Sequence, residues 1–230
     1  MSARIIFRKF GRIVSTVFIT IGVSVGIAFV VIKFFTIEVI EVQGSGLNII
    51  VDQKKLSKNL LFFPTEQLRN QLLSENPLLL DVKIQKKLPH TLVIVAKLRT
   101  AIAHLQTNTR MVDIDEDGMI ISDSMPNETL PILFFDVTPI RIGQKITKQQ
   151  IQSALSSLVH LGSIVTIDSI KPLDEESIQL SSRGLHIYVA QQSNFGDVSS
   201  TLQTLLNGVR IKGTLPALID LRFAKPVISY

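Results

Sequence analysis

The first 35 residues place the strongest limit on what this chain can fold into. An uncharged run of twenty residues, Ile13 to Ile32, follows a leader that has four basic residues and no acid. As a helix rising about 1.5 Å per residue, this run is about 30 Å long, which matches the hydrocarbon core of a bilayer. We therefore predict a basic tail over residues 1–12 and a single transmembrane helix over residues 13–35.

The charges of the leader also predict the orientation of this helix. Basic residues stay on the cytoplasmic side, so we expect the tail inside the cell and the rest of the chain beyond the inner (cytoplasmic) membrane. A cleaved signal peptide is the competing interpretation. Its apolar stretch is usually about 7 to 15 residues long and ends in small residues. This run is longer and ends in bulky side chains up to Phe35, which favours an uncleaved anchor.

The composition of the remaining chain excludes several classes of protein. Four of the 24 basic residues lie in the leader, which leaves 20 against 19 acidic residues. A nearly neutral external part does not predict nucleic-acid binding, which needs a surplus of Lys and Arg. There is no cysteine, so disulfides, thiolate catalysis and sulfur-bound metals are excluded. We expect no cofactor.

Residues 36–230 are long enough for two modules, and the pattern of the first is β-α-α-β-β. Alternating apolar residues predict a strand over 36–43. Two short helices follow, one from Asp52 through Leu61 and one capped by Thr65 and ended before Pro77. The runs 79–86 and 91–98 then predict an antiparallel hairpin.

The second module is predicted to be rich in short strands, with two amphipathic helices. One helix is capped by Thr147 and ended by Gly162, and the other runs from about Asp197 to Gly208. The predicted strands cover residues 101–105, 111–114, 119–122, 130–134, 164–171, 178–180, 185–189, 216–221 and 227–229.

Two groups of residues were considered for chemistry. Asp113, Asp115, Asp117 and Gly118 match the start of a calcium loop, but its twelfth position is Ser124, where a bidentate Glu is needed. A hairpin turn at Asp117-Gly118 is the simpler interpretation. The histidines do not have the spacing of metal ligands, and no nucleophile motif accompanies them, so we predict no catalytic residue and no metal site. These histidines are His90, His104, His160 and His186.

Three motifs occur in a fixed order behind the anchor. The first is Ile37 to Gly44 (IEVIEVQG), the second runs from Asn76-Pro77 to Ile94, and the third is Asp220 to Phe223 (DLRF). With this order the chain resembles the FtsQ/DivIB family of bacterial cell-division proteins. One departure is Leu98-Arg99, where the family usually has Glu-Arg. The resemblance implies an α+β protein with a POTRA domain over residues 36–99 and an FtsQ-type β domain over 100–230, ending in an exposed C-terminal edge strand.

The terminal segment is the candidate interaction site. Composition alone favours an edge strand that is protected from pairing with another chain, because Lys225 and Pro226 are residues that prevent such pairing. The resemblance favours a different interpretation, in which this strand receives a strand of the bitopic protein FtsB, with FtsL in the same complex. Alternation within a strand would place Phe223 and Val227 on one face. The predicted partner-binding residues are Phe223, Ala224, Lys225, Pro226, Val227, Ile228, Ser229 and Tyr230.

The resemblance implies a non-enzymatic scaffold at the division septum, which links FtsB and FtsL to septal peptidoglycan synthesis. It also implies that the POTRA domain contacts other division proteins of the membrane. Two other functions were weighed. A translocation or secretion chaperone is possible because POTRA domains also present sheet edges to clients. A membrane-tethered hydrolase has only scattered His, Asp and Ser residues in its favour.

Overall fold

A computed structural model of the chain describes residues 3–44, 59–124, 129–212 and 215–230, with the backbone alone for 3–16 and 210–212. Over these residues the fold is α+β, with four helices and twelve strands. Contacts between Cα atoms divide the chain into two compact units, Met1–Leu98 and Arg99–Tyr230. Each unit has its own hydrophobic core.

The N-terminal helix α1 spans Ala3–Phe34. Its window Val17–Phe34 has a mean hydropathy of 2.4, and no part of this window is buried. Among the described residues it is the one helix long and apolar enough to cross a membrane. The predicted apolar helix is therefore confirmed. It begins within the basic leader, because Arg and Lys are good helix formers.

The first unit continues with β1 (Val39–Gln43), α2 (Thr65–Glu75), β2 (Leu79–Lys87) and β3 (Thr91–Leu98). The sheet order is β1-β3-β2, with β1 parallel and β2 antiparallel to β3. The predicted hairpin is confirmed. The hydrophobic core of the first unit combines leucines of α2 with residues of β2 and β3; among them are Leu68, Leu72, Val82, Leu92 and Ile94.

Two expectations for the first unit need comment. The helix predicted from Asp52 lies outside the described residues except at its end, where residues 59–61 form a bridge, a bend and a turn. Thr65 is not the cap of α2, because Pro64 occupies that position without a side-chain hydrogen bond. Phe63 and Leu68 are instead both buried in one cluster, at the two positions of a hydrophobic staple. Apolar packing therefore fixes this helix start.

The second unit contains nine described strands and two helices. Helix α3 spans Gln149–Leu161 and α4 spans Phe195–Lys212. The strands are β4 (Ala103–Gln106), β5 (Met111–Ile114), β6 (Ile120–Asp123), β7 (Ile132–Phe134), β8 (Ser169–Pro172), β9 (Ser177–Ser182), β10 (Leu185–Ala190), β11 (Leu218–Asp220) and β12 (Val227–Ser229).

These strands form one mixed sheet in the order β12-β11-β10-β9-β8-β7-β4-β5-β6. Alternation along β10 buries Leu185, Ile187 and Val189 and leaves His186 exposed. The buried residues join Leu155 of α3 and Leu202 of α4 in one hydrophobic cluster. Both helices therefore cover the same face of the sheet.

Three helix boundaries in the second unit differ from prediction. The cap of α3 is Lys148 rather than Thr147, and it makes no side-chain hydrogen bond. Helix α4 starts before Asp197, because Asn194 Oδ1 accepts a hydrogen bond from the Gly196 amide as a capping residue does. It also continues past Gly208. The next residue, Val209, is buried, and this burial stabilises a further turn of the helix.

Strand β8 starts five residues later than predicted. Residues 164–168 were predicted as the start of β8, but this strand begins at Ser169. The amides of Ile164 and Val165 donate hydrogen bonds to the Leu161 carbonyl, at 2.9 and 3.0 Å. Ile164 and Val165 therefore belong to the turn that follows α3, and the strand starts after them. The predicted stop of α3 at Gly162 is confirmed.

Candidate functional site

Strand β12 lies at one end of the nine-stranded sheet. It pairs antiparallel with β11, with Leu218, Ile219 and Asp220 opposite Ser229, Ile228 and Val227. In the described part of the chain no strand pairs with its other side. In an antiparallel strand, alternate residues direct their N–H and C=O groups away from the existing partner. These groups form the open edge.

The side chains of β12 divide between the core and the solvent. Ile228 is half-buried opposite the fully buried Ile219. Val227 is 56% exposed and Tyr230 is 66% exposed. Exposed apolar side chains therefore lie next to the open backbone of β12. Such surface is the usual complement to main-chain pairing when a peptide adds to a sheet.

The structure places three of the eight predicted site residues in a bend and three in β12, with Pro226 between them and Tyr230 after the strand. Residues 222–225 form a bend before the strand begins, and β12 itself covers Val227–Ser229. The predicted common face of Phe223 and Val227 is therefore wrong, because a bend interrupts the alternation between them. Phe223 is nevertheless 62% exposed. It lies in the bend that leads into the edge.

A cluster around Arg222 sets this bend. Arg222 Nε donates to both carboxylate oxygens of Asp220, at 3.0 and 3.1 Å, and Nη2 donates to Asp220 Oδ2 at 2.7 Å. The Arg222 amide donates to Asp220 Oδ1 at 3.0 Å. The hydrogen bonds from Arg222 lower the pKa of Asp220, although burial opposes this shift. Asp220 in turn raises the pKa of Arg222.

Aromatic rings complete the Arg222 cluster. The guanidinium carbon lies 5.4 Å from the ring centroid of Tyr188 and 5.4 Å from that of Phe223, within the range of cation–π attraction. Arg222 Nη1 also lies 3.4 Å from Asp174 Oδ2. Tyr188 is not among the site residues predicted from the sequence. Alternation along β10 could have placed it on the face away from the core, but its neighbour Arg222 is 34 positions away in the chain.

A cleft opens beside the end of β12. Its volume is about 530 Å³, and Tyr230 lies in its wall. Apolar side chains from α4, from the start of β10 and from the loop before β11 also contribute; they are Leu206, Leu185 and Leu215. The cleft extends the apolar surface of the edge on the side where the chain ends.

The acidic run that resembled a calcium loop forms a turn. Arg99 Nη1 pairs with Asp115 and, at 2.8 Å, with Asp117. Asp115 Oδ1 also accepts the amides of Asp117 and Met119, at 3.1 and 2.7 Å. Gly118 has φ +85° in the turn between β5 and β6. The hairpin interpretation is therefore confirmed, and Arg99, which follows the departure at Leu98, holds this turn.

His104 and His186 hydrogen-bond within the second unit. His104 is buried, and its Nδ1 lies 2.8 Å from Asp113 Oδ1 and 2.8 Å from Ser124 Oγ. His186 Nδ1 lies 3.0 Å from Gln179 Nε2 on the exposed strand face. Within the described ranges no group of three His, Cys, Asp or Glu residues has the geometry to hold a metal ion.

These features define a class of protein: an α+β chain with one apolar N-terminal helix of membrane-spanning length and an open sheet edge near its C-terminal end. No family model matches the chain. It is 22% identical over 216 residues to the cell division protein DivIB of Clostridium tetani, which covers 85% of this chain and 79% of that protein. It is 23% identical over 140 residues to the cell division protein DivIB of Clostridium acetobutylicum, covering 59% of this chain and 56% of that protein. Both similarities support the assignment to the FtsQ/DivIB family that the three motifs predicted.

Proposed function

We propose that this protein is a non-catalytic scaffold of bacterial cell division. The observation that carries the proposal is the similarity to a cell division protein along 85% of the chain. Helix α1 would anchor it in the inner membrane with the basic tail, residues 1–12, in the cytoplasm. The remaining chain would act beyond the membrane at the division septum. The exposed apolar window of α1 supports this arrangement.

The first unit is proposed to be a POTRA domain over residues 36–99. Its described part has the order β1-α2-β2-β3, with β1 inserted beside β3 in a three-stranded sheet. This order agrees with the predicted β-α-α-β-β module, whose first helix, predicted from Asp52, lies outside the described residues. The domain would orient other membrane proteins of division. The second unit is proposed to be the FtsQ-type β domain over residues 100–230.

The proposed binding event is the addition of a partner strand to β12. We expect FtsB to supply that strand, with FtsL in the same complex. Each main-chain hydrogen bond gained would contribute only about 0.5 to 1.5 kcal/mol net. A three-residue strand offers few such bonds, so apolar contacts must add to the affinity. Phe223, Val227 and Tyr230 provide exposed apolar surface for this purpose.

Site-specific crosslinking tests this proposal, because the chain has no cysteine of its own. Ser229→Cys places one attachment point for a benzophenone crosslinker on β12. Asp123→Cys places the same group on β6, the strand at the opposite end of the sheet order. Both positions are exposed. We expect illumination of cells carrying the full chain to link FtsB to the Ser229→Cys protein and not to the Asp123→Cys protein.

The possible outcomes separate the functions. Equal capture of FtsB at both positions, or capture at Asp123→Cys alone, would overturn the assignment of the edge. Capture of many unfolded secreted proteins at Ser229→Cys would instead favour a chaperone. Depletion of the protein provides a second measurement: a division scaffold predicts filamentous cells, and a chaperone predicts the loss of secreted or outer-membrane proteins.

A further inference from the structure

The loop before α2 is tied to the end of the apolar helix. Asn59 Nδ2 donates to the Ile32 carbonyl at 3.2 Å, and the Leu60 amide donates to the Phe35 carbonyl at 2.7 Å. Thr36 and Asn59 also form an isolated β-bridge. These contacts bind the loop to the last turn of α1 and the residues that follow it. The position of this loop along the axis of α1 is therefore set by its hydrogen bonds to the end of that helix.

Within this loop the apolar side chains point in two directions. Leu60 and Phe63 are 0% and 4% exposed and belong to the core of the first unit. Leu61 and Phe62 are 41% and 72% exposed. The core is therefore complete without Leu61 and Phe62, and two large apolar groups project outward next to α1.

The turn between β2 and β3 brings a third exposed apolar residue to the same end of the unit. Leu88 is 56% exposed. His90 Nδ1 lies 3.2 Å from the Thr36 carbonyl, and the ring centroids of His90 and Phe34 are 5.7 Å apart. Lys86 Nζ donates to the Leu61 carbonyl at 2.9 Å, which joins this hairpin to the loop. We refer to Leu61, Phe62 and Leu88 as the juxtamembrane patch.

Bilayer dimensions decide what this patch meets if α1 spans a membrane. The polar headgroup regions add roughly 5 to 8 Å on each side of the hydrocarbon core. The apolar window of α1 ends at Phe34, and the Leu60 amide donates a hydrogen bond to the carbonyl of the next residue, Phe35. Phe62 lies two residues further along, so its Cα is within about 7 Å of the Leu60 Cα. Phe62 is therefore close enough to the end of α1 for its side chain to reach the headgroup layer.

We propose that the juxtamembrane patch inserts into the lipid boundary of the membrane that α1 crosses. Phe and Leu on one surface with Lys at its rim are the side chains that bind a membrane interface. Lys86 donates to the Leu61 carbonyl within the patch, and Lys33 lies in the last turn of α1, to which the loop is tied. This contact with the lipid boundary would add to the hydrogen bonds between the loop and α1, and would fix the tilt of the first unit on the membrane. The inference rests on the membrane anchor of the proposed function.

The absence of tryptophan from the chain allows a direct test. Three single-Trp variants of the full chain are reconstituted in phosphatidylcholine vesicles. Phe62→Trp reports the patch. Lys97→Trp is the aqueous control, because Lys97 is exposed and lies near the opposite end of β3. Phe29→Trp reports the span, where Phe29 is 63% exposed. Emission is recorded with lipids brominated either near the headgroup or near the end of the acyl chain.

We expect Phe62→Trp to emit further to the blue than Lys97→Trp and to lose most of its intensity with lipids brominated near the headgroup. Phe29→Trp should be quenched more strongly by lipids brominated deep in the chain. If Phe29→Trp is quenched while Phe62→Trp behaves like Lys97→Trp, the patch proposal is wrong and the anchor stands. If Phe29→Trp is not quenched, the anchor itself is wrong, and the patch proposal is refuted with it.

Discussion

Removing the Arg222 side chain is the most informative perturbation of the site, because one side chain connects β11, β10 and the bend before β12. Arg222→Ala deletes three charged hydrogen bonds to Asp220 and both aromatic contacts. The Asp220 side chain is only 10% exposed and keeps a single hydrogen bond from the backbone of residue 222. The variant therefore leaves a buried carboxylate without its counter-charge.

The expected magnitude follows from that environment. Breaking a buried ion pair by removing one partner costs about 3 to 5 kcal/mol. The loss here should be smaller, because Arg222 is 28% exposed and Asp220 retains its backbone bond. We expect the free energy for opening the β11–β12 segment to fall by about 2 to 3 kcal/mol. Amide exchange in this segment should then accelerate roughly 30- to 150-fold under conditions where its rate is proportional to the opening equilibrium constant.

Hydrogen exchange measured by mass spectrometry on the full chain in detergent checks this prediction for residues 215–230. Asp174→Asn is the matched control, because it removes the other carboxylate near Arg222, at 3.4 Å and 50% exposed. An exposed pair of this kind contributes about 0 to 1 kcal/mol. If Arg222→Ala accelerates exchange no more than Asp174→Asn does, the cluster does not hold the edge.

The pH dependence gives a second readout of the same pair. The native pKa of Asp220 is lowered, chiefly by the side-chain hydrogen bonds from Arg222. Its stabilisation is therefore complete above the unfolded pKa of about 3.9 and is lost as the pH falls through the lower native value. In Arg222→Ala the main cause of the lowered pKa is gone. The acid-induced loss of stability below about pH 4 should then be shallower than in the unmodified protein.

Three further substitutions test the packing of the second unit by urea unfolding followed by circular dichroism. Leu155→Ala, in the fully buried core, should cost about 2 to 5 kcal/mol, and a loss below 1 kcal/mol would contradict the core assignment. Gly118→Ala should cost about 1 to 3 kcal/mol, because φ is +85° and the new Cβ would lie 2.8 Å from the Ile146 carbonyl oxygen. Gly208→Ala should stabilise by about 0.5 to 1 kcal/mol, because the position is helical and no atom lies within 4 Å of the new Cβ. A destabilising Gly208→Ala would show that α4 does not continue through this residue.

Most secondary-structure elements could be predicted because their signals are local. Alternation over 79–86 and 91–98 predicted the hairpin, and the strand at 227–229 was placed at its observed residues. The predicted caps of α2 and α3 were wrong. Thr65 and Thr147 are hydroxyl residues of the type that caps helices, but the caps are Pro64 and Lys148. The burial of Phe63 decides the start of α2, and burial depends on residues distant in the chain.

The sequence by itself determined the apolar helix, the two-part pattern and the acidic turn, because hydropathy, periodicity and turn chemistry act between near neighbours. Tertiary structure alone decided the order of the nine strands. Lys225 and Pro226 had already indicated an edge position for the last strand, but not which strand is its neighbour. Tertiary structure also decided that Tyr188, Arg222 and Asp174 meet. The physical reason is that strand pairing and ion pairing join residues far apart in sequence. No local pattern encodes which distant partner a backbone or a guanidinium will find.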